Sequence, residues 1–251
     1  MSVFGRDYAK YYDLLYKDKD YKGEIDYIDA LIKQNSVNHA KSVLDIGCGT
    51  GRHLKYFKEL GYDIAGIDQS EKMIESAQIN LGADAMLYCA GAADFKTETK
   101  FDAAISLFHV MSYLNSNEEI EKTLKNINQH LIEGGLFIFD YWYGPSVLSE
   151  LPSSRINRFE NNELAIIRQS TPTMNYEQNC VNVNFEVDIK DKSAEKSYHT
   201  TELHRMRYFF IPEIEYFLSK CGFSTVASFA WMTQSRPVNN QWYAVSVARK
   251  K

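Results

Sequence analysis

Val43-Leu44-Asp45-Ile46-Gly47-Cys48-Gly49-Thr50-Gly51 decides how the rest of this chain is read. Its apolar start, Ser42–Ile46, has the length and composition of a short buried strand. Arg52–Leu60 then reads as a helix, stopped by Gly61. Between them, glycine at every second position gives the backbone conformational freedom. Such a strand-to-helix turn presents free N–H groups and lets a ligand approach closely. A turn that needs glycine only for its own shape would look the same, so the surroundings must decide. The spacing is GxGxG, with Asp45 two residues ahead of it. A dinucleotide fingerprint wants GxGxxG, and Arg52 stands where its third glycine would fall. An NAD-dependent oxidoreductase therefore fits less well. Asp68, at the end of the next strand, would serve the ribose hydroxyls of either kind of cofactor.

Outward from this stretch, strands and helices alternate. Asp63–Ile67 is a second strand, Ser70 caps a helix running to about Leu81, and Ala85–Cys89 is a third strand. Phe101–Leu107 is a fourth, Glu118–Ile132 a helix closed by Gly134-Gly135, and Leu136–Asp140 a fifth strand. This rhythm predicts a mostly parallel α/β sheet with helices on both faces. Residues 1–40 read as a helical cap, with Ile25, Ile28 and Ile32 at helical spacing. After Tyr143 the rhythm changes to three long β-rich runs, 156–171, 179–190 and 196–210. Val181–Ile189 alternates apolar and polar residues, as a strand with one wet face does. Residues 41–150 are thus expected to form the core and 151–211 an inserted antiparallel sheet. Residues 212–251 return to the core with a helix opened by Pro212 and two last strands, making seven core strands in all.

Composition limits the function classes. The 251 residues carry a net charge of −5, which opposes a broad nucleic-acid footprint. No run approaches the roughly 18 apolar residues of a membrane span, and the N-terminus lacks the apolar core of a secretory leader. The four cysteines are scattered, with no CxxC and no paired histidine spacing. They predict neither disulfides nor a metal site, and a reducing, cytoplasmic setting.

With these features assembled, VLDIGCGTG resembles motif I of the class I S-adenosylmethionine (SAM)-dependent methyltransferases. Asp68, Asp94-Phe95, FDAAISLFHVMSYL and LIEGGLFIFD follow in that family's order. The resemblance implies a Rossmann-like methyltransferase fold with SAM as cofactor. It implies that Gly47, Cys48, Gly49 and Gly51 shape the turn around the amino-acid part of SAM, with Asp45 holding that turn or meeting the ammonium. Asp68 would grip the ribose. Gln69, Ser70 and Met73 would lie near the adenosine, and Leu107, Phe108 and His109 near the sulfonium. Position 92 is Ala where the family often has Asp, which leaves the adenine to backbone or Asp94.

The N-terminal YYDLLY, the strand-five exit FDYWYGP and the inserted sheet are similar to a subgroup. These are the bacterial N,N-dimethyltransferases of nucleotide-linked amino sugars. In this chain Tyr113 replaces the subgroup's strand-four histidine, and Asn239–Tyr243 replaces its glycine-rich tail. The acceptor implied is the amine of a small molecule, such as a sugar nucleotide. Candidates to meet it are Tyr12, His109, Tyr113, Asp140 and His204; each could instead serve packing or capping. Arg205 and Arg207 alternate along a strand and would suit a diphosphate if they face the cleft. Small-molecule O-methylation and a non-catalytic SAM-binding module remain open alternatives, as does homodimerisation through an exposed strand edge. A nucleic-acid methyltransferase is disfavoured by charge and by LFHVMSYL standing where an NPPY-type segment would.

Overall fold

The computed structural model describes residues 8–251, so the helix expected over residues 1–7 lies outside the described residues. Two helices lead, α1 (Tyr8–Leu15) and α2 (Tyr21–Asn35). The Asp20 carboxylate caps α2 by accepting the Gly23 N–H at 2.9 Å. Ile25, Ile28, Leu31 and Ile32 form its apolar stripe and are fully buried; each such side chain contributes about 1.5–3 kcal/mol.

The core follows as β1 (Ser42–Ile46), α3 (Arg52–Glu59), β2 (Asp63–Asp68), α4 (Glu71–Leu81), β3 (Met86–Cys89) and β4 (Phe101–Ser106). A single 3-10 turn (Val110–Tyr113), α5 (Asn117–Gln129), β5 (Leu131–Tyr143) and α6 (Gly144–Ser149) complete the first part. The inserted strands are β6 (Arg155–Glu160), β7 (Leu164–Asn175), β8 (Cys180–Asp191) and β9 (Lys196–Phe209). The chain closes with α7 (Ile211–Lys220), β10 (Phe223–Ala230) and β11 (Tyr243–Lys250).

Strands β3, β2, β1, β4 and β5 pair in that order and in parallel. β11 lies antiparallel between β5 and β10. On one face Ile46, Phe137 and Phe139 pack with Leu124, Ile127 and Phe217 of α5 and α7. On the other, Val43, Ile105 and Ile138 pack with Ile28, Leu54 and Phe57 of α2 and α3.

Two boundaries differ from the sequence reading. Leu131 and Ile132 were expected to end a helix, but they begin β5: Phe101 pairs with Leu131 and donates its N–H to His130 O at 2.9 Å. Strand pairing with β4 outweighs the helical spacing there, and Gly134 (φ 76°) absorbs the irregularity that follows. The run 156–171 is a hairpin rather than one strand. Asn161 Oδ1 accepts the N–H groups of Glu163 and Leu164 at 2.9 and 2.7 Å, a side-chain-built turn that separates β6 from β7.

The inserted sheet is an antiparallel meander, β6-β7-β8-β9. It joins the core where β4 stops. Ser106 is the last residue of β4 to pair, opposite Phe139, and further along β5 Trp142 and Tyr143 pair with Tyr208 and Phe209 of β9. The insertion therefore stands as a wall at the carboxyl edge of the parallel strands, where open α/β sheets bind ligands. No helix among the described residues is long and apolar enough to cross a membrane.

Candidate active site

At the end of β1 the chain turns through three glycines with positive φ: Gly47 (79°), Gly49 (54°) and Gly51 (78°). Gly47 and Cys48 donate their N–H groups to Ile67 O at 2.8 and 2.9 Å, which ties the turn to β2. Asp68 continues that tie. Its Oδ2 accepts the Gly49 N–H at 3.0 Å and its Oδ1 accepts the Ser70 N–H at 2.8 Å. Burial pushes the Asp68 carboxyl above its ordinary value, while these two backbone hydrogen bonds pull it back. The glycines differ in what surrounds them. A Cβ on Gly47 would lie 2.7 Å from Val110, and one on Gly51 2.8 Å from Leu81, whereas one on Gly49 would meet nothing within 4 Å.

The exit of β4 is built around strain. Phe108 and His109 both hold positive φ, 66° and 63°; this left-handed backbone costs non-glycine residues about 1–2 kcal/mol each. It is held by Asp140 of β5, whose Oδ1 accepts the His109 N–H at 2.9 Å. Oδ2 of the same carboxylate lies 2.6 Å from His109 Nδ1, a close contact too bent for a hydrogen bond. The imidazole stacks on Tyr243, centroids 4.2 Å apart.

Between the glycine turn, the β4 exit and the inserted sheet lies a cavity of about 820 Å³. Tyr12 and Tyr21 of the N-terminal helices, and Tyr16 in the turn between them, line one side of it. Burial, then the neighbouring Tyr21 and Tyr16 hydroxyls, raise the Tyr12 phenol well above its ordinary range, so it stays protonated. Tyr16 packs edge-on against Phe108 at 4.8 Å and accepts a hydrogen bond from Arg168 on its hydroxyl at 3.2 Å.

The opposite wall is the inner face of the insertion. Alternation along β9 sends Glu202, His204 and Met206 into the cavity. The Tyr113 hydroxyl and His204 Nδ1 are 2.7 Å apart, His204 Nε2 is 3.1 Å from Glu202 Oε2, and Tyr11 donates to Glu202 Oε1 at 2.7 Å. Cross-strand register sets Arg155 opposite Ser170 and Asn157 opposite Arg168, and all four reach the cavity. The Arg168 guanidinium lies over the Phe185, Phe159 and Tyr16 rings at 5.0, 5.5 and 5.7 Å. Neither arginine pairs with a carboxylate among the described residues. Arg168 Nε and Trp142 Nε1 are buried donors with no partner there either.

Of the candidate acceptor contacts, Tyr12, His109, Tyr113 and His204 all line this one cavity. Asp140 does not; it is 1% exposed and stands behind His109. Among the cofactor candidates, Gly47, Cys48, Gly49, Asp68, Gln69, Met73 and Leu107 line the cavity. Asp45 is buried beneath the turn, with Oδ2 unpartnered among the described residues. Burial, then the nearby Asp68 charge, push its carboxyl up to about 8. Gly51 caps α3, packed under α4 rather than in the cavity.

Asp94 is a correction. It is exposed and faces a separate groove beside Lys96 and His130, because Gly91 and Ala92 take the cavity wall at the end of β3. Arg205 and Arg207 do not face the cleft. Strand alternation turns them away from the cavity, and Arg207 bonds Asn117 Oδ1 at 2.8 Å and Glu213 Oε1 at 2.5 Å. His204 is 5% exposed. His130 is 6% exposed and lies tilted against the Phe95 ring, centroids 4.1 Å apart. Lys19 folds inward onto Glu24 and over the Tyr21 and Phe108 rings. Sequence reasoning missed Glu202, Arg155, Arg168 and Trp142. The one available signal was the period-two pattern, which places Glu202 on the same strand face as His204.

Comparison with known proteins bears on the geometry just described. Residues 43–135, the glycine turn to the start of β5, match the family described as Methyltransferase domain. Over 220 residues the chain is 31% identical to a dTDP-3-amino-3,4,6-trideoxy-alpha-D-glucopyranose N,N-dimethyltransferase of Streptomyces venezuelae, covering 86% of this chain and 90% of that one. This chain belongs to the class I SAM-dependent methyltransferases. Among solved structures, this methyltransferase is similar to DesVI of Streptomyces venezuelae (TM-score 0.80, 25% identity, 97% of this chain and 99% of that chain). It also shares its fold with the sugar N-methyltransferase KedS8 of Streptoalloteichus (TM-score 0.81, 23% identity, 100% and 97%). The expected Rossmann-like fold with SAM as cofactor holds, as does the resemblance to amino-sugar N-methyltransferases.

Proposed function

We propose that this methyltransferase transfers methyl groups to the amine of a nucleotide-linked amino sugar. The observation that carries the reading is the unpaired arginine pair on the inner wall. Arg155 and Arg168 reach the cavity beside Asn157 and Ser170, with no carboxylate partner among the described residues. A diphosphate supplies the paired negative charge such guanidiniums bind. The dTDP-linked amino sugar in the relative's name has that group.

The other end of the cavity fits SAM. Gly49 offers open space for a close ligand approach, and the unpartnered Asp45 oxygen beneath the turn suits an ammonium nearby. Asp68, Gln69 and Met73 would hold the ribose and adenine; Leu107 and His109 would flank the sulfur. SAM supplies an electrophilic methyl group on a sulfonium, and the protein's part is alignment behind that methyl. Orientation of this kind is worth about 7–11 kcal/mol. Tyr12, Tyr16 and Tyr21 close the cavity against water. Four free cysteines, three of them buried, fit a reducing, cytoplasmic setting.

The test is product analysis with SAM and three acceptors: a dTDP-linked 3-amino sugar, the free amino sugar and a dTDP-sugar without an amine. The expected result is S-adenosylhomocysteine and a methylated amine from the first alone. Arg155→Gln and Arg168→Gln should each raise the acceptor KM about 10–100-fold, the loss of one charge-assisted contact. Turnover with the dTDP-sugar that lacks an amine, and none with the dTDP-linked 3-amino sugar, would sink the amine assignment. An unchanged KM in both arginine variants would sink the diphosphate assignment.

A further inference from the structure

Resting on the reading that the acceptor is an amine, we infer that Tyr113, His204 and Glu202 form a proton relay in which Glu202 is the positioning residue. The chain of contacts is continuous and buried: Tyr113 Oη to His204 Nδ1 at 2.7 Å, His204 Nε2 to Glu202 Oε2 at 3.1 Å, and Tyr11 Oη to Glu202 Oε1 at 2.7 Å. Glu202 and His204 are 9% and 5% exposed.

The geometry has a definite polarity. An ionised carboxylate only accepts, so it requires the proton of a neutral imidazole on Nε2. Nδ1 is then the acceptor, and Tyr113 must donate to it. Tyr11, on the N-terminal helix, occupies the other Glu202 oxygen and fixes the carboxylate's rotation. Burial, together with Tyr16 and Glu202, drives the Tyr113 phenol far above its ordinary range, so it passes a proton without resting as phenolate. The titratable groups facing the relay are Tyr11 and Tyr12 from α1, Tyr16 in the turn after it and Arg168 from β7.

An amine reaches a protein at neutral pH largely as an ammonium, which has no lone pair to attack with. In the relay, an ammonium N–H held against Tyr113 gives its proton to the hydroxyl oxygen. The hydroxyl proton moves to His204 Nδ1, and the imidazolium is balanced by Glu202. The freed lone pair then bonds the methyl carbon as the C–S bond breaks, its electron pair staying on sulfur. The methylated product is again an ammonium. The imidazolium returns its proton to solvent through Tyr113 as that product leaves, and a second methylation repeats the cycle. The His109–Asp140 pair does not do this, because its carboxylate is committed to holding the strained β4 exit.

The experiment is a pH–rate comparison of wild type, Glu202→Gln and Tyr113→Phe with SAM and a dTDP-linked 3-amino sugar. A general base contributes about 10²–10⁴-fold. At pH 7 each variant should lose about 100-fold or more in kcat, with KM for SAM and for the acceptor within about threefold of wild type. The deficit should shrink to under about tenfold near pH 9.5, where the acceptor is already a free amine. An undiminished kcat in both variants, or a deficit equal at every pH, overturns the relay. Tyr113→Phe removes one oxygen and keeps the packing, so it serves if Glu202→Gln folds poorly.

A second measurement needs no acceptor. Nitrogen-15 NMR of histidine-labelled protein should find His204 protonated on Nε2 with Nδ1 accepting. The opposite tautomer overturns the relay whatever the substrate. If wild type leaves the amine unmethylated while His204 shows the expected tautomer, the amine reading of the previous section fails and the relay's polarity stands.

Discussion

Asp140 holds His109 twice, accepting its backbone N–H on one oxygen at 2.9 Å and meeting its ring Nδ1 with the other at 2.6 Å. One buried carboxylate thus sets both the left-handed backbone of His109 and the direction of its ring. Replacing Asp140 by Ala leaves a buried N–H unpaired and releases that strain. The expected cost is about 2–3 kcal/mol in urea unfolding. Asp140→Asn keeps the acceptor oxygen and should lose clearly less. Equal losses for the two would show that the charge, not the N–H bond, is what matters.

The glycine turn separates shape from ligand access. In Gly47→Ala the new Cβ would lie 2.7 Å from Val110 at φ 79°, a loss of about 2–4 kcal/mol in stability. Gly49→Ala has room and carries only the left-handed backbone cost, about 1–2 kcal/mol. Its methyl nevertheless enters the cavity, so SAM binding should weaken about tenfold or more by calorimetry while the fold persists. Undiminished SAM affinity in Gly49→Ala would place the cofactor elsewhere.

Asp68→Ala should weaken SAM binding about 10–100-fold, the worth of charge-assisted hydrogen bonds to ribose hydroxyls. It also removes the acceptor for the Gly49 and Ser70 N–H groups. Asp68→Asn keeps an acceptor oxygen, so the comparison divides turn support from ribose binding. The assignment fails if calorimetry finds both variants at wild-type affinity.

Asp45 makes the ligand-free protein's stability depend on pH. Its carboxyl sits near 8 in the folded chain, raised by burial and Asp68, against 3.8 ordinarily. Between those values the folded state keeps a proton that the unfolded state has released. Stability therefore falls as pH rises through about 4 to 8, by up to about 1.4 kcal/mol per pH unit from this group. Asp45→Asn removes that component. Urea unfolding of both proteins at pH 5 and pH 8 should give a steeper decline for wild type; parallel declines would show that Asp45 is ionised in the fold.

Much of the site was legible in the sequence because local chemistry specified it. Glycine at 47, 49 and 51, an apolar strand before them and Asp68 at the next strand's end are short-range requirements of one strand-to-helix turn. They also marked the family. Period-two alternation in Val181–Ile189 announced the insertion, and capping residues such as Ser70 set helix starts within a residue or two. Where the reading missed, long-range pairing had intervened. Leu131 paired with β4 instead of ending a helix.

The cavity's outer half is a product of tertiary structure. Glu202 and His204 are two residues apart in a strand, but Tyr113 is 91 residues from His204, and Tyr11 191 from Glu202. Only the pairing of β9 onto the end of β5 brings those groups to one place. The same pairing turned Arg205 and Arg207 outward, while β6 and β7 brought Arg155 and Arg168 in. By itself the sequence determined the α/β core, its glycine turn and its cofactor, since those follow from residues a few positions apart. Which side chains face the cavity was decided by strand register across the insertion, where a one-residue slip exchanges every inward side chain for an outward one.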